Sequence, residues 1–470
     1  VSSEQTHEQS GEQIVTINPA TDTELARYDA MSATDIEAVL VQVAAAQETW
    51  ASTPIEERAA IMRRTAEVLR ERSADLGALA TSEMGKPISE AIAEVEKCAW
   101  VCEYYAEESP KALADEDVQA TGSRSWVRYE PLGTILAVMP WNYPYWQVFR
   151  FVAPTLMAGN AGILKHSPNV TGVALAIEDI LRDAGLPDGV FRTLVLAEPD
   201  VPETVDRLIR DDRIAAVTLT GSNRAGSHVA ASAGRAAKKS VLELGGSDPF
   251  VVLADADLDV VVPKAVAGRF LNTGQSCLCA KRFIVHESIA DEFGRRFADA
   301  VDELVIGAPS DDATKIGPLA RADLAANLDD QVARSVEAGA KVLTGGHQLI
   351  ERGPAWYAPT VLVDVTPDMA VMAEETFGPA AAVIAFSTND EAVELANATP
   401  YGLGASVWSA DTERALAVGS RIDSGALFIN AVTASDPRLP FGGVKQSGYG
   451  RELGEAGARE FTNIRTVLIG

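Results

Sequence analysis

One thiol in unusual company offers the plainest chemistry in this chain. Cys277 lies in Phe270-Leu271-Asn272-Thr273-Gly274-Gln275-Ser276-Cys277-Leu278-Cys279. Asn, Gly, Gln and Ser are poor core material, so the segment reads as a loop facing a ligand. A thiolate is a strong nucleophile toward a carbonyl carbon, and the thioester it forms is readily hydrolysed. Glu243, in Leu242-Glu243-Leu244-Gly245-Gly246, ends an apolar run just before two glycines. A carboxylate desolvated there has a raised pKa that suits a general base near neutral pH, the alternative being an acid at an exposed edge. Asn142, in Met139-Pro140-Trp141-Asn142-Tyr143-Pro144, can offer its amide to a developing oxyanion, a task shared with a backbone N–H near Cys277.

Leu219-Thr220-Gly221-Ser222-Asn223-Arg224-Ala225-Gly226 reads as a strand ending in a glycine turn that opens a helix. Free N–H groups and positive potential at such a helix start suit a phosphate. Ser227 stands where an ATP-binding loop would need lysine, and the glycine spacing is not that of the common dinucleotide fingerprint. A tight strand–helix connection is the alternative. Cys98 and Cys102 have the spacing of zinc ligands, but Cys277 and Cys279 do not, and the first pair also fits one buried helical face. Five scattered histidines speak against a zinc hydrolase, and no metal is expected.

Elements must position these groups. After a short strand at 12–17, the first ~110 residues read as helices. One begins with Thr53 as N-cap, Pro54 in the first turn and Glu56 three residues after the cap, and carries a stripe of Ala59, Met62, Ala66 and Leu69. From residue 134, short apolar runs (134–139, 162–165, 193–196, 215–220, 241–244) alternate with helices near 145–158, 171–184, 201–210 and 224–234. A second series has strands at 249–253, 282–286, 341–344, 381–386, 405–408 and 426–430. Such alternation predicts two α/β domains with parallel sheets, whose ligands bind beyond the strands' carboxyl ends. Residues 124–129 and 461–468 fall outside both series and predict an extra hairpin and a terminal strand.

The chain's 470 residues exceed what one core usually supports, so more than one domain is expected. With 67 acidic against 40 basic residues and no basic patch, it would repel nucleic acid. No apolar run is long enough for a membrane span, and the polar start at 1–13 does not read as a signal peptide, so a cytoplasmic protein is expected.

Taken together and in this order, PWN, LELGG, GQSC, EETFGP and PFGGVKQSGYGRE resemble the aldehyde dehydrogenase superfamily over nearly the whole chain. The resemblance implies two Rossmann-like α/β domains, at 1–117 with 132–243 (dinucleotide-binding) and 244–438 (catalytic). A small β oligomerisation element at 118–131 and 452–470 would make a homodimer or homotetramer. It implies Cys277 as nucleophile, Glu243 as base for the hydrolytic water and Asn142 as oxyanion donor. Trp141, Lys165, Ser167, Gly221, Ser222, Glu375 and Phe377 would hold NADP or NAD. Retention of Glu243 favours hydrolysis over transfer to coenzyme A.

GQSC-x-C, LELGGSDPF and SDPRLPFGG look most like succinate-semialdehyde dehydrogenases. Arg150, eight residues after Asn142, matches a carboxylate-binding Arg of that group, with a structural ion pair as its alternative. The group's second Arg falls at Leu271, and Ser435 or Arg438 is expected to compensate. Other semialdehydes and aliphatic aldehydes stay open. The run Lys165-His166-Ser167-Pro168 lacks the Glu by which NAD-preferring relatives repel a 2′-phosphate, so the reading leans to NADP, with His166 as a helper. Cys279 is a redox candidate that could pair with Cys277, or a small residue packed behind the loop.

Overall fold

The computed structural model describes residues 12–470. Most of the polar N-terminal stretch read above therefore lies outside the described residues.

Two parallel sheets carry the chain. In the first, Thr134–Met139 lies between Ala161–His166 and Ile214–Thr220; Phe191–Leu194 and Lys239–Glu243 lie beyond them. The two-residue strand Gly448–Tyr449 joins Lys239–Glu243 antiparallel at the edge. The chain runs outward from Thr134–Met139 in one direction and then returns to its other side. The strand order thus reverses at the crevice between Thr134–Met139 and Ile214–Thr220, where open α/β sheets bind ligands. Ala161 to Leu164 are buried on both faces, as a sheet covered by helices on each side requires.

The second sheet runs Lys341–Thr344, Thr360–Val363, Ala380–Phe386, Ala280–His286, Asp248–Val252, Gly404–Trp408, Ala426–Ile429. All neighbours are parallel except the edge strand Lys341–Thr344. A third, antiparallel sheet pairs Thr462–Ile469 with Arg124–Pro131 and Glu116–Asp117. Only four residues separate Glu243, at the carboxyl end of its strand, from Asp248, which opens a strand of the second sheet. The carboxyl ends of the first sheet therefore meet the amino ends of the second, and the loops at that seam form the site.

Several local readings are corrected. The helix Ala33–Ser52 reaches far enough that Thr53 is its C-cap, with its hydroxyl donating to Thr49 O. The next helix, Ile55–Glu71, starts after Pro54 without a side-chain cap. Its stripe Ala59, Met62, Ala66 and Leu69 is wholly buried. The strand Thr23–Asp29 went unread because it has no buried residue, leaving no apolar alternation to detect. Cys98 and Cys102 are buried on the helix Ile88–Ala112. Among the described residues no cluster of three or more His, Cys, Asp and Glu could hold a metal, and no helix is long and apolar enough to cross a membrane.

The helix Thr171–Asp183 has no side-chain cap of its own. Glu83, from the helix Ser73–Met84, supplies both oxygens instead, accepting from Gly172 N at 2.9 Å and Val173 N at 3.0 Å. Glu83→Ala leaves two N–H groups, one buried and one part-buried, without acceptors. Urea unfolding should then show a loss of about 1–3 kcal/mol, and an unchanged midpoint and slope would mean water replaces the carboxylate at no cost.

Candidate active site

The loop bearing Cys277 begins in unfavourable geometry. After the helix Leu258–Phe270, Asn272 and Thr273 both take left-handed conformations (φ 53° and 54°), and Gly274 follows at φ 74°. Each non-glycine residue held this way costs about 1–3 kcal/mol unless its surroundings determine it. A dense set of bonds does so. Glu90 accepts from Asn272 N at 2.6 Å. Asn272 Nδ2 donates to Asn142 O at 2.8 Å, and Asn142 Nδ2 donates to Gln275 O at 3.1 Å. Gln275 Oε1 accepts from Ala320 N, and Thr273 Oγ1 from Gly317 N. Arg269, fully buried, donates to the carbonyls of Ala380, Gly274, Thr376 and Gly378. A Cβ on Gly274 would lie 2.2 Å from Gly378 O, so only glycine permits this approach.

Cys277 leaves this loop half-buried, in the wall of a cavity of about 240 Å³. Cys98, Cys102 and Cys279 are buried, and all four thiols are free. Burial pushes the Cys277 thiol up to about 12; Lys281 and Arg150 oppose this, while Glu375 and Glu243 add to it. Lys281 is buried and donates to Cys277 O at 3.1 Å, to Gly246 O, and to Glu375 Oε1 at 2.9 Å.

Glu243 lies opposite Thr220 in the parallel ladder, and neither carboxylate oxygen has a hydrogen-bond partner among the described residues. Burial holds its pKa well above the usual range, the neighbouring Glu452 charge adds to this, and Arg150 and Arg451 oppose it. Glu243 does not line the cavity with Cys277. Its Oε1 lies where a Cβ on Gly442 would be, at 2.7 Å. Asn142 is also outside the cavity lining, joined to the Cys277 loop through Gln275.

A second group gathers at the crevice of the first sheet. Ser222 caps the helix Asn223–Arg235, its hydroxyl oxygen accepting from Ala225 N, and Gly221 N donates to Glu243 O. Glu375 Oε1 accepts from Gly246 N at 2.9 Å, and a Cβ on Gly245 would strike Glu375 Oε2. Phe377 stands edge-on to Trp141, with ring centroids 6.1 Å apart. Lys165 is buried, which pushes its ammonium down to about 8, and Ser167 Oγ donates to Asn169 Oδ1. A helix start, a buried lysine with no salt bridge among the described residues and an aromatic pair could together hold a dinucleotide. His166 is corrected: its Nδ1 accepts from Ser167 N and its Nε2 bonds Pro144 O. Burial pushes it down to about 4, so it stays neutral and adds no cation.

Arg150 and Ser435 line the same cavity, as does the apolar Leu271. Arg150 is ion-paired to Glu452 and stacks over Phe441 at 4.6 Å, so its charge is largely answered inside the protein. Arg438 is outside the lining; it is exposed, binds Asp436 at 2.6 Å and lies over Trp100. Sequence reasoning missed Lys97, Lys281 and Glu90. Their signal was charge within apolar patterns: Lys281 in the strand Ala280–His286, and Glu90 and Lys97 on the helical stretch that also bears the buried cysteines.

A family profile described as the aldehyde dehydrogenase family matches residues 6–467. The chain is 49% identical over 459 residues to a Synechocystis protein named probable succinate-semialdehyde dehydrogenase [NADP(+)], covering 97% of this chain and 99% of that one. It is 47% identical over 453 residues to an Escherichia coli succinate semialdehyde dehydrogenase [NAD(P)+], covering 96% and 97%. Among solved structures, succinic semialdehyde dehydrogenase from Streptococcus pyogenes in complex with NADP+ superposes with a TM-score of 0.94 at 35% identity, covering 97% of this chain and 99% of that one.

Only the thiolate reacts with iodoacetamide, so a Cys277 thiol near 12 should be alkylated about tenfold faster for each pH unit from about pH 7 to 9. Mass spectrometry of the labelled peptide gives the rate. A plateau within that range would mean that Cys277 is already ionised.

Proposed function

This chain belongs to the aldehyde dehydrogenase family, and we propose that it oxidises succinate semialdehyde to succinate by covalent catalysis at Cys277, with NADP as the preferred acceptor. The observation that carries this is a half-buried thiol, on a loop held in left-handed geometry, opening into a small cavity bordered by cations. The names of the relatives support both the substrate and the cofactor.

The Cys277 thiol releases its proton to solvent, and its sulfur bonds the aldehyde carbon as the carbonyl π-bond opens onto oxygen. The resulting oxyanion rests on Asn142 Nδ2, which has a second hydrogen besides the one given to Gln275 O. When bound, the nicotinamide ring supplies the hydride acceptor. Ser222 and the helix start at Asn223 would hold its pyrophosphate, Lys165 and Ser167 a ribose, and Glu375, with Phe377 and Trp141, the nicotinamide end. The thioester then left on Cys277 is attacked by water, whose proton Glu243 takes. A carboxyl with raised pKa and no committed hydrogen bond is suited to that task. Glu243 must swing toward the cavity to reach the water, and its unbonded oxygens leave it free to do so.

NAD is the second reading: the exposed Glu198 charge acts on Lys165 and would disfavour a 2′-phosphate there. We assign 1–117 with 132–243 to cofactor binding, 244–438 to catalysis, and 118–131 with 452–470 to association into a homodimer or homotetramer. Cys279 lines the same cavity, and its oxidation by a peroxide to a disulfide with Cys277 would block acylation reversibly.

Steady-state kinetics should give a kcat/KM for succinate semialdehyde at least about tenfold above butanal with either nicotinamide cofactor. Equal values would overturn the substrate assignment. Cys277→Ala should abolish turnover while cofactor binding, followed by NADPH fluorescence, persists; residual turnover near wild type would remove the nucleophile assignment.

A further inference from the structure

Besides Lys165 in the cofactor crevice, three lysines near the Cys277 loop hold their ammonium groups largely out of water, a costly arrangement without a counter-charge. Lys86 pairs with Glu94, and Lys281 with Glu375. Lys97 differs. It lies on the helix Ile88–Ala112, lines the cavity that holds Cys277, and has no carboxylate within ion-pair distance among the described residues. Its Nζ donates to Ser435 Oγ at 2.8 Å and sits 4.3 Å from the centre of the Trp146 ring.

The acids that act on Lys97 from neighbouring elements are already committed. Glu94 accepts from Lys86 and from the backbone N–H groups of Tyr145 and Trp146. Asp436 forms a two-pronged pair with Arg438, at 2.8 and 2.6 Å. The other nearby cation, Arg150, has its own partner in Glu452. Glu90, the remaining acid of the lining, accepts from Asn272 N and is pushed up to about 7 by burial, so the cation left facing the cavity without a paired acid is the Lys97 ammonium. Ser435 accepts from it and retains a hydroxyl hydrogen to give to an anion.

We propose that Lys97, with Ser435, is the specificity-determining carboxylate-binding pair of the substrate cavity, and that Arg150 serves mainly as the structural partner of Glu452. The carboxylate of a semialdehyde supplies the counter-charge that Lys97 lacks, while its aldehyde carbon lies toward Cys277 in the same cavity. Trp146 walls the ammonium on one face, which favours an anion approaching from the cavity over one from bulk solvent. This inference rests on the substrate reading above.

The test is the ratio of kcat/KM for succinate semialdehyde to that for butanal, a chain of matched length without the charge. In Lys97→Met this ratio should fall about 10- to 100-fold, carried chiefly by KM for the semialdehyde, as expected for loss of one charge-assisted contact. Lys97→Arg should restore most of it. Ser435→Ala, which keeps the ammonium, should lower the ratio about 3- to 10-fold and serves where the methionine variant does not fold. A wild-type ratio near one would sink the substrate reading and this inference with it. A high wild-type ratio that survives Lys97→Met, or semialdehyde and butanal falling together, would overturn the role of Lys97 alone.

Discussion

The site depends on holding residues 272–274 in a left-handed path that two of them do not favour. What holds them is contributed from four directions: Glu90 from a helix of the N-terminal region, Asn142 from the end of a first-sheet strand, Gly317 and Ala320 from a later loop, and Arg269 from the preceding helix. None of these contacts alone is worth more than a few kcal/mol, and several are buried where an unmade bond is expensive. The strain therefore persists only while the two sheets stay docked end to end. In return, the loop places Cys277 in the wall of the cavity, with its carbonyl held by Lys281.

Charge at the seam is arranged in near-neutral units. Lys281 is answered by Glu375, Arg150 by Glu452, and Lys86 by Glu94. Lys281 and Arg150 act on Cys277, yet each carries a partner, and burial dominates its ionisation. The same holds for Glu243, where the Glu452 charge reinforces burial and the two arginines only partly offset it. Burial thus disfavours the charged form of both reactive groups. The proposed mechanism needs a thiolate and then a carboxylate, so the arrival of substrate and cofactor must supply the missing stabilisation; the free enzyme does not. This suits a thiol that must avoid adventitious oxidation between turnovers.

Much of the fold was legible because both sheets obey a simple rule. Strands such as Thr134–Met139 and Lys341–Thr344 stood out as β-prone runs between turns and helical periods, and the structure places them at those residues. Thr23–Asp29 was invisible for the opposite reason: its side chains face solvent. Thr53 was misread because two helices compete for it; a cap pattern cannot say which neighbour extends further. Loop positions of Cys277 and Asn142 followed from residue type. The left-handed backbone did not, since Asn272 and Thr273 adopt it under tertiary constraint and not by preference.

The least legible feature was which cation faces the ligand. Position in a motif pointed to Arg150, and position in the cavity agrees, but a sequence carries no record of which charges are already paired. Glu452 is some three hundred residues away along the chain, and only folding brings it against Arg150. The exposed Arg438 fails for a similar reason, its guanidinium taken by Asp436 two residues before it. Lys97 carried no motif at all; a lone lysine between apolar residues reads as a snorkelling surface residue. What distinguishes it is a subtraction possible only in three dimensions: Glu94 and Asp436, the acids that act on it, are each held by another base, and its ammonium is left facing the cavity.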